Sequence, residues 1–120
     1  MQAIQIVDLS GPASALRAVE LPEPERHAAH PLGRGEGVVI EVHAAGVSFP
    51  EVLQTRGEYQ LKPPLPFVPG SEVAGVVRSA PAGDAQAPGL RAGERVAAFC
   101  ALGAFAEVAV APPFLTFPLP

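Results

Sequence analysis

The residues most able to do chemistry in this 120-residue chain cluster in its middle. Ser48 and Glu51 stand three apart, the spacing at which a serine side chain caps a helix and a glutamate reaches back to the cap. Tyr59, the only tyrosine, follows eight residues after Glu51. Its hydroxyl could donate to a carbonyl oxygen, or sit half packed and half wet at a rim. Arg56 and Lys62 could steer a phosphate, although a solvated charge is the default for each. Cys100 is the only cysteine, so no disulfide closes within the chain and no thiolate cluster holds a structural zinc. His27 and His30 fall in a loop without metal-ligand spacing, and His43 falls on the polar side of a strand. A surface histidine pair is the preferred reading, and no zinc site is expected.

These groups need elements to position them. Ser48–Gly57 reads as the one convincing helix, with Ser48 as its cap, Pro50 in its first turn and Gly57 placed to end it. The clearest strand is Gly37–Gly46: Val38, Ile40, Val42 and Ala44 fall on one face, Glu41 and His43 on the other. Further strands are expected over Met1–Asp8, Ala15–Leu21, Glu72–Ser79, Gly93–Cys100 and Ala104–Ala111. Gly11-Pro12 marks the first turn, and Ala101-Leu102-Gly103 a hairpin between the last two strands. Gly75 is expected where backbones approach closely. Lys62–Gly70, with four prolines, can be neither helix nor central strand and reads as a rigid connector. The tail Pro112–Pro120 is expected to be extended, exposing Phe114, Leu115 and Phe117. Short strands, one helix and rigid turns make a mainly β domain, a small barrel or a sandwich.

Composition narrows the function classes. The apolar share of 48% fits a folded unit with one core. A formal charge of −4, with eight scattered basic residues, gives no footing for nucleic acid or an anionic membrane. The first ten residues lack a basic start and carry Asp8, unlike a signal peptide. The longest uncharged stretches, Val96–Ala106 and Val108–Pro120, are too short to span a bilayer. The expectation is a soluble, cytoplasmic protein, and the Ala/Arg/Pro bias with a single Lys points to a GC-rich bacterial genome. No strand–glycine turn–helix unit occurs, so no nucleotide-binding Rossmann unit is expected in this chain.

One family resemblance runs through the chain in order. The run Ala45-Gly46-Val47-Ser48-Phe49-Pro50-Glu51-Val52-Leu53-Gln54-Thr55-Arg56-Gly57-Glu58-Tyr59 resembles the zinc-independent quinone oxidoreductases of the medium-chain dehydrogenase/reductase superfamily. So do Pro63–Val77, the strand start Gly93-Glu94-Arg95-Val96, and the tail from Ala104 to Pro120. The resemblance implies a GroES-like, partly open β-barrel with one or two short helices over residues 1–111. Residues 112–120 would begin the connection to a nucleotide-binding domain that is not in the chain. It also implies hydride transfer from C4 of NADPH to a quinone or other conjugated carbonyl, with the cofactor held mainly by that other domain. The zinc-dependent relatives carry a Cys ahead of the helix and a Gly-His-Glu ahead of the Val-Ala-Gly strand. Here those places hold Ser48 and Gly70-Ser71-Glu72.

By the same resemblance Ser48, Phe49, Glu51, Leu53 and Tyr59 face the substrate and cofactor cleft, with Tyr59 and Ser48 as the catalytic candidates. Leu53 departs from relatives that carry Tyr there, which removes one hydrogen-bonding group. The chain alone is expected to be inactive and monomeric, and the full-length protein a homodimer. Two other readings stand beside it: a non-catalytic GroES-like binding or assembly module using its apolar tail, and an enoyl-reductase module of a multienzyme.

Overall fold

A computed structural model describes residues 1–25, 36–83 and 89–120. The elements in chain order are β1 (Gln2–Ile6), α1 (Pro12–Ala15), β2 (Leu16–Glu20), β3 (Val38–Ala45), α2 (Phe49–Gln54), β4 (Glu72–Ser79), β5 (Arg95–Phe99), β6 (Val108–Ala111), a 3₁₀ turn (Pro113–Leu115) and β7 (Thr116–Pro118). The architecture is mainly β, as the sequence leads one to expect, in two sheets that do not close. All strand pairs among the described residues are antiparallel.

β1 and β2 form a two-stranded sheet in the register Gln2↔Glu20 to Ile6↔Leu16. The turn expected at Gly11-Pro12 is larger than a simple turn. Gly11 takes φ 105, Pro12 starts a single helical turn, and α1 delivers Ala15 into the interior. The Gly11 N–H donates to the Thr55 carbonyl at 3.0 Å, which ties this hairpin to the end of α2.

The five-stranded sheet runs β6-β3-β4-β5-β7. Its core is Val38, Ile40, Val73, Val77, Val96, Ala98, Cys100, Ala104, Ala109 and Ala111. Each Val or Ile buried there contributes roughly 1.5–3 kcal/mol against leaving it in water. Three expectations need correcting. The alternation of Val38, Ile40 and Val42 fails at Ala44, because the β3–β4 register shifts between Val42 and Ala44. One extra residue passes without pairing, so Ala45 packs on the core and Ala44 stays exposed. The hairpin between the last two long strands does not form. β5 pairs with β4 and β7, while β6 pairs with β3 on the far side of the sheet. Between them Ala101 (φ 62) and Gly103 (φ 92) turn the chain onto the proline-rich connector. There Gly103, Ala104 and Phe105 donate to the carbonyls of Val68, Gly70 and Pro69 at 2.9–3.1 Å. Their bonds are spent on the connector, so β6 begins at Val108 and not at Ala104. Nor is the tail uniformly extended: a 3₁₀ turn leads into β7, which pairs Ala97↔Phe117. Phe114 and Phe117 remain exposed.

The connector is not merely a spacer. Phe67 forms an antiparallel bridge with Ile6, its carbonyl receiving the Ile6 N–H at 2.8 Å and its N–H donating to the Ile6 carbonyl at 3.2 Å, so the small sheet is held against it.

Gly75 lies where β4 passes close against β3. A methyl group there would sit 2.0 Å from the Glu41 carbonyl oxygen. Backbone cannot yield that much without breaking the register. Gly75→Ala is therefore expected to cost about 3 kcal/mol or more, read as a lower urea midpoint at unchanged slope. A change below about 0.5 kcal/mol would contradict the close approach.

Candidate functional site

The site grows from the N-terminal end of α2. β3 ends at Ala45, and Ser48, in extended conformation (φ −137, ψ 176), turns the chain into the helix. The capping box closes in both directions. Its firmer half is that of Glu51, whose Oε2 accepts from the Ser48 N–H at 3.0 Å and from the Ser48 hydroxyl at 2.8 Å. Glu51 is only 5% exposed, and its other oxygen accepts from the Ser71 hydroxyl at 3.2 Å. Ser71 stands just before β4, so the carboxylate joins the helix start to the mouth of the sheet. A carboxylate out of water is costly unless its lone pairs are filled. Here three donors from neutral groups fill them, and no cation pairs with it among the described residues.

Cys100 completes this node. Its N–H donates to the Ser71 carbonyl at 2.7 Å, and its fully buried thiol lies 3.5 Å from the same oxygen. Burial, aided by the negative charge of Glu51, pushes the thiol up to about 12. It is a packed thiol and not a nucleophile.

At its other end α2 stops in a tight cap. Glu58 and Gly57 donate back to the carbonyls of Leu53 and Gln54 at 3.0 and 3.1 Å, with Gly57 at φ 69. This is the bond pattern of a Schellman cap, and a left-handed glycine is what it requires. The chain then lays Tyr59, half-buried, along a hollow of about 300 Å³ shared with Leu9, Gln54, Lys62 and Phe67.

The structure thus joins Ser48 and Glu51 directly and sets Tyr59 in a separate hollow beyond the opposite end of the helix. No hydrogen bond links Tyr59 to either, and Ser48 and Glu51 do not line its hollow. Phe49 is 70% exposed, and Leu53 is half-buried. Two residues that sequence reasoning passed over belong here. Ser71 completes the carboxylate, and Gln54 lies three residues after Glu51, on the same buried side of α2. The helical spacing was the available signal for Gln54; nothing local pointed to Ser71 as a hydrogen-bond partner.

His27 and His30 lie outside the described residues, and His43 is exposed at the β3 bulge. On the same strand pair Arg78 Nη1 donates to both oxygens of Glu23 at 2.7 Å, and its Nη2 donates to Glu41 at 3.3 Å. The arginine holds the Glu23 carboxyl below its ordinary range, but the pair is solvated and structural in weight. Among the described residues no three His, Cys, Asp or Glu side chains group to hold a metal ion. No helix among them is long and apolar enough to cross a membrane.

Residues 34–120 match the model of the alcohol dehydrogenase GroES-like domain. The chain belongs to that family. Within it the likeness is to the quinone oxidoreductase type. The quinone oxidoreductase of Rattus norvegicus is 36% identical over 123 residues, covering all of this chain and 34% of the relative. A probable oxidoreductase from Mycobacterium abscessus superposes with a TM-score of 0.77 at 46% identity, over the whole chain and 34% of that protein. The quinone oxidoreductase of Thermus thermophilus, solved also in complex with NADPH, gives 0.71 at 35%, again over the whole chain and 32% of that protein. This GroES-like domain therefore spans about a third of the length of the relatives it matches.

The Cys100 environment makes a two-part prediction. Its pKa is raised by folding, so the native state favours the thiol. That stabilisation is whole below the ordinary thiol value of 9.0 and is lost as pH climbs from there toward about 12. Cys100→Ala should flatten this alkaline loss in urea melts. At pH 8 a disulfide-exchange reagent should label Cys100 in urea and leave the native chain untouched; rapid native labelling would refute the buried thiol.

Proposed function

We propose that this domain is the substrate-side wall of a zinc-free, NADPH-dependent reductase acting on a quinone or other conjugated carbonyl. The observation that carries it is the alignment of the entire chain with quinone oxidoreductases, among them one solved with NADPH. The described residues themselves offer no dinucleotide cradle, since every strand pair is antiparallel and no glycine-rich strand-to-helix turn occurs. The reading assigns cofactor binding to a further domain, with residues 1–111 as the substrate side and 112–120 as the connection.

When bound there, NADPH supplies the hydride. The part played by this chain is to hold and polarise the acceptor. Tyr59 donates its hydroxyl proton in a hydrogen bond to the carbonyl oxygen, where negative charge develops. The exposed ring of Phe49 and the half-buried Leu53 add apolar surface on α2. Ser48 and Glu51 anchor the helix that bears them. The zinc-free reading is supported by donor chemistry. At the two places where zinc-dependent relatives carry Cys and His, this chain has Ser48 and Ser71, and both hydroxyls are engaged by Glu51. Neutral hydroxyls are poor zinc ligands. The same reading makes the complete protein a cytoplasmic homodimer and the chain alone a monomer.

A non-catalytic assembly module would also present the exposed Phe114 and Phe117. Activity separates the two. Joined to a nucleotide-binding domain of this family, the chain should oxidise NADPH with 1,4-naphthoquinone, and Tyr59→Phe should lower kcat roughly a hundredfold. The chain alone should show none. Quinone reduction by the isolated chain, or full activity of the Tyr59→Phe protein, would overturn the reading.

A further inference from the structure

Four polar residues are buried among the described residues: Glu51, Gln54, Thr55 and Thr116. Three have partners for their side chains. Glu51 holds the three bonds given above, the Thr55 hydroxyl donates to the Val52 carbonyl at 2.6 Å, and the Thr116 hydroxyl to the Pro112 carbonyl at 2.9 Å. The carboxamide of Gln54, in a residue 5% exposed, has no partner among the described residues. Burying an amide without a hydrogen bond is a net cost, and such groups in folded proteins mark a missing partner. Gln54 also lines the hollow of about 300 Å³ that Tyr59 borders. A buried amide without a protein partner among the described residues thus borders the hollow.

The hollow's other features limit what could fill it. Leu9, Leu61 and Phe67 make its walls apolar. Leu9 packs where Gly57 has no side chain, since a methyl group on Gly57 would lie 2.8 Å from the Leu9 Cδ1. Donors outnumber acceptors: the Gln54 amide N–H pair, the Tyr59 hydroxyl and the Lys62 ammonium stand against one amide oxygen and the phenol oxygen. A volume near the lower end for ligand pockets suits one or two rings. We infer that this hollow binds a small, flat ring ketone whose carbonyl oxygen accepts from Gln54 Nε2. Gln54 is then a specificity-determining residue that discriminates carbonyl compounds from hydrocarbons of the same shape. In equating this ligand with the acceptor of the reductase, the inference rests on the proposed function; the pocket itself does not.

The test uses the 120-residue chain with α-tetralone and with tetralin, its hydrocarbon counterpart, titrated by NMR on the Gln54 side-chain amide and the Tyr59 ring. The ketone should bind about tenfold tighter than the hydrocarbon. Gln54→Leu and the near-isosteric Gln54→Met should bring the two affinities together. Both should also raise the melting temperature, by about 4 °C, because an unpaired buried amide has been removed. Equal binding by the unaltered chain, a ketone preference that survives both substitutions, or a lowered melting temperature in both variants would each overturn the inference. The last would show an amide that serves the fold. Failure here is separable from failure of the proposed function. If the joined protein reduces naphthoquinone while Gln54 makes no difference, the inference alone falls. If the ketone binds through Gln54 but NADPH is never oxidised, the proposed function alone falls.

Discussion

A carboxylate can be buried without a cation only if neutral donors surround it, and that requirement organises the domain around Glu51. One oxygen is filled from its own helix by Ser48, the other from the start of β4 by Ser71. Neither source is sufficient alone, because a carboxylate left half satisfied costs on the order of 1–3 kcal/mol or more. The helix and the five-stranded sheet are therefore held in one relation by a single side chain. Ser71 carries the link further, since its carbonyl receives the N–H of Cys100 at the end of β5.

With the start of α2 fixed in this way, the length of the helix sets where its later residues fall. Six residues are under two turns, so Gln54 comes round to the same buried side as Glu51. The cap at Gly57 then reverses the chain and lays Tyr59 and Lys62 over the space that Gln54 borders. The proline-rich connector closes that space through Phe67, whose backbone is paired to Ile6 of the small sheet. The domain thus offers two different polar environments at the ends of one short helix. One is saturated with hydrogen bonds, and the other holds an amide that lacks them.

Much of this was legible in local pattern. The Ser48-x-x-Glu51 spacing gave the cap, Gly57 the stop, and the strand over Glu72–Ser79 came out with its bounds unchanged. Gly75 was readable as a close approach because a glycine inside a strand leaves room for backbone alone. What failed was partnership. Nothing in residues 93–111 says that β5 and β6 flank opposite sides of the sheet, because their spacing suits a hairpin equally well. The bulge that exposes Ala44 depends on the register with β4, a property of two strands together. Ser71 and Gln54 were missed for related reasons: one matters through a residue twenty positions away, the other through the partner it lacks.

The coupling between Glu51 and Ser71 is what joins helix to sheet, and a double-mutant cycle reads it directly. Ser71→Ala would be made in the natural background and in Glu51→Gln, and urea stability measured for all four proteins. A coupling energy of about 1 kcal/mol or more is expected, with Ser71→Ala much less damaging once the carboxylate is gone. Additive losses, within about 0.3 kcal/mol, would show that the carboxylate does not join helix to sheet.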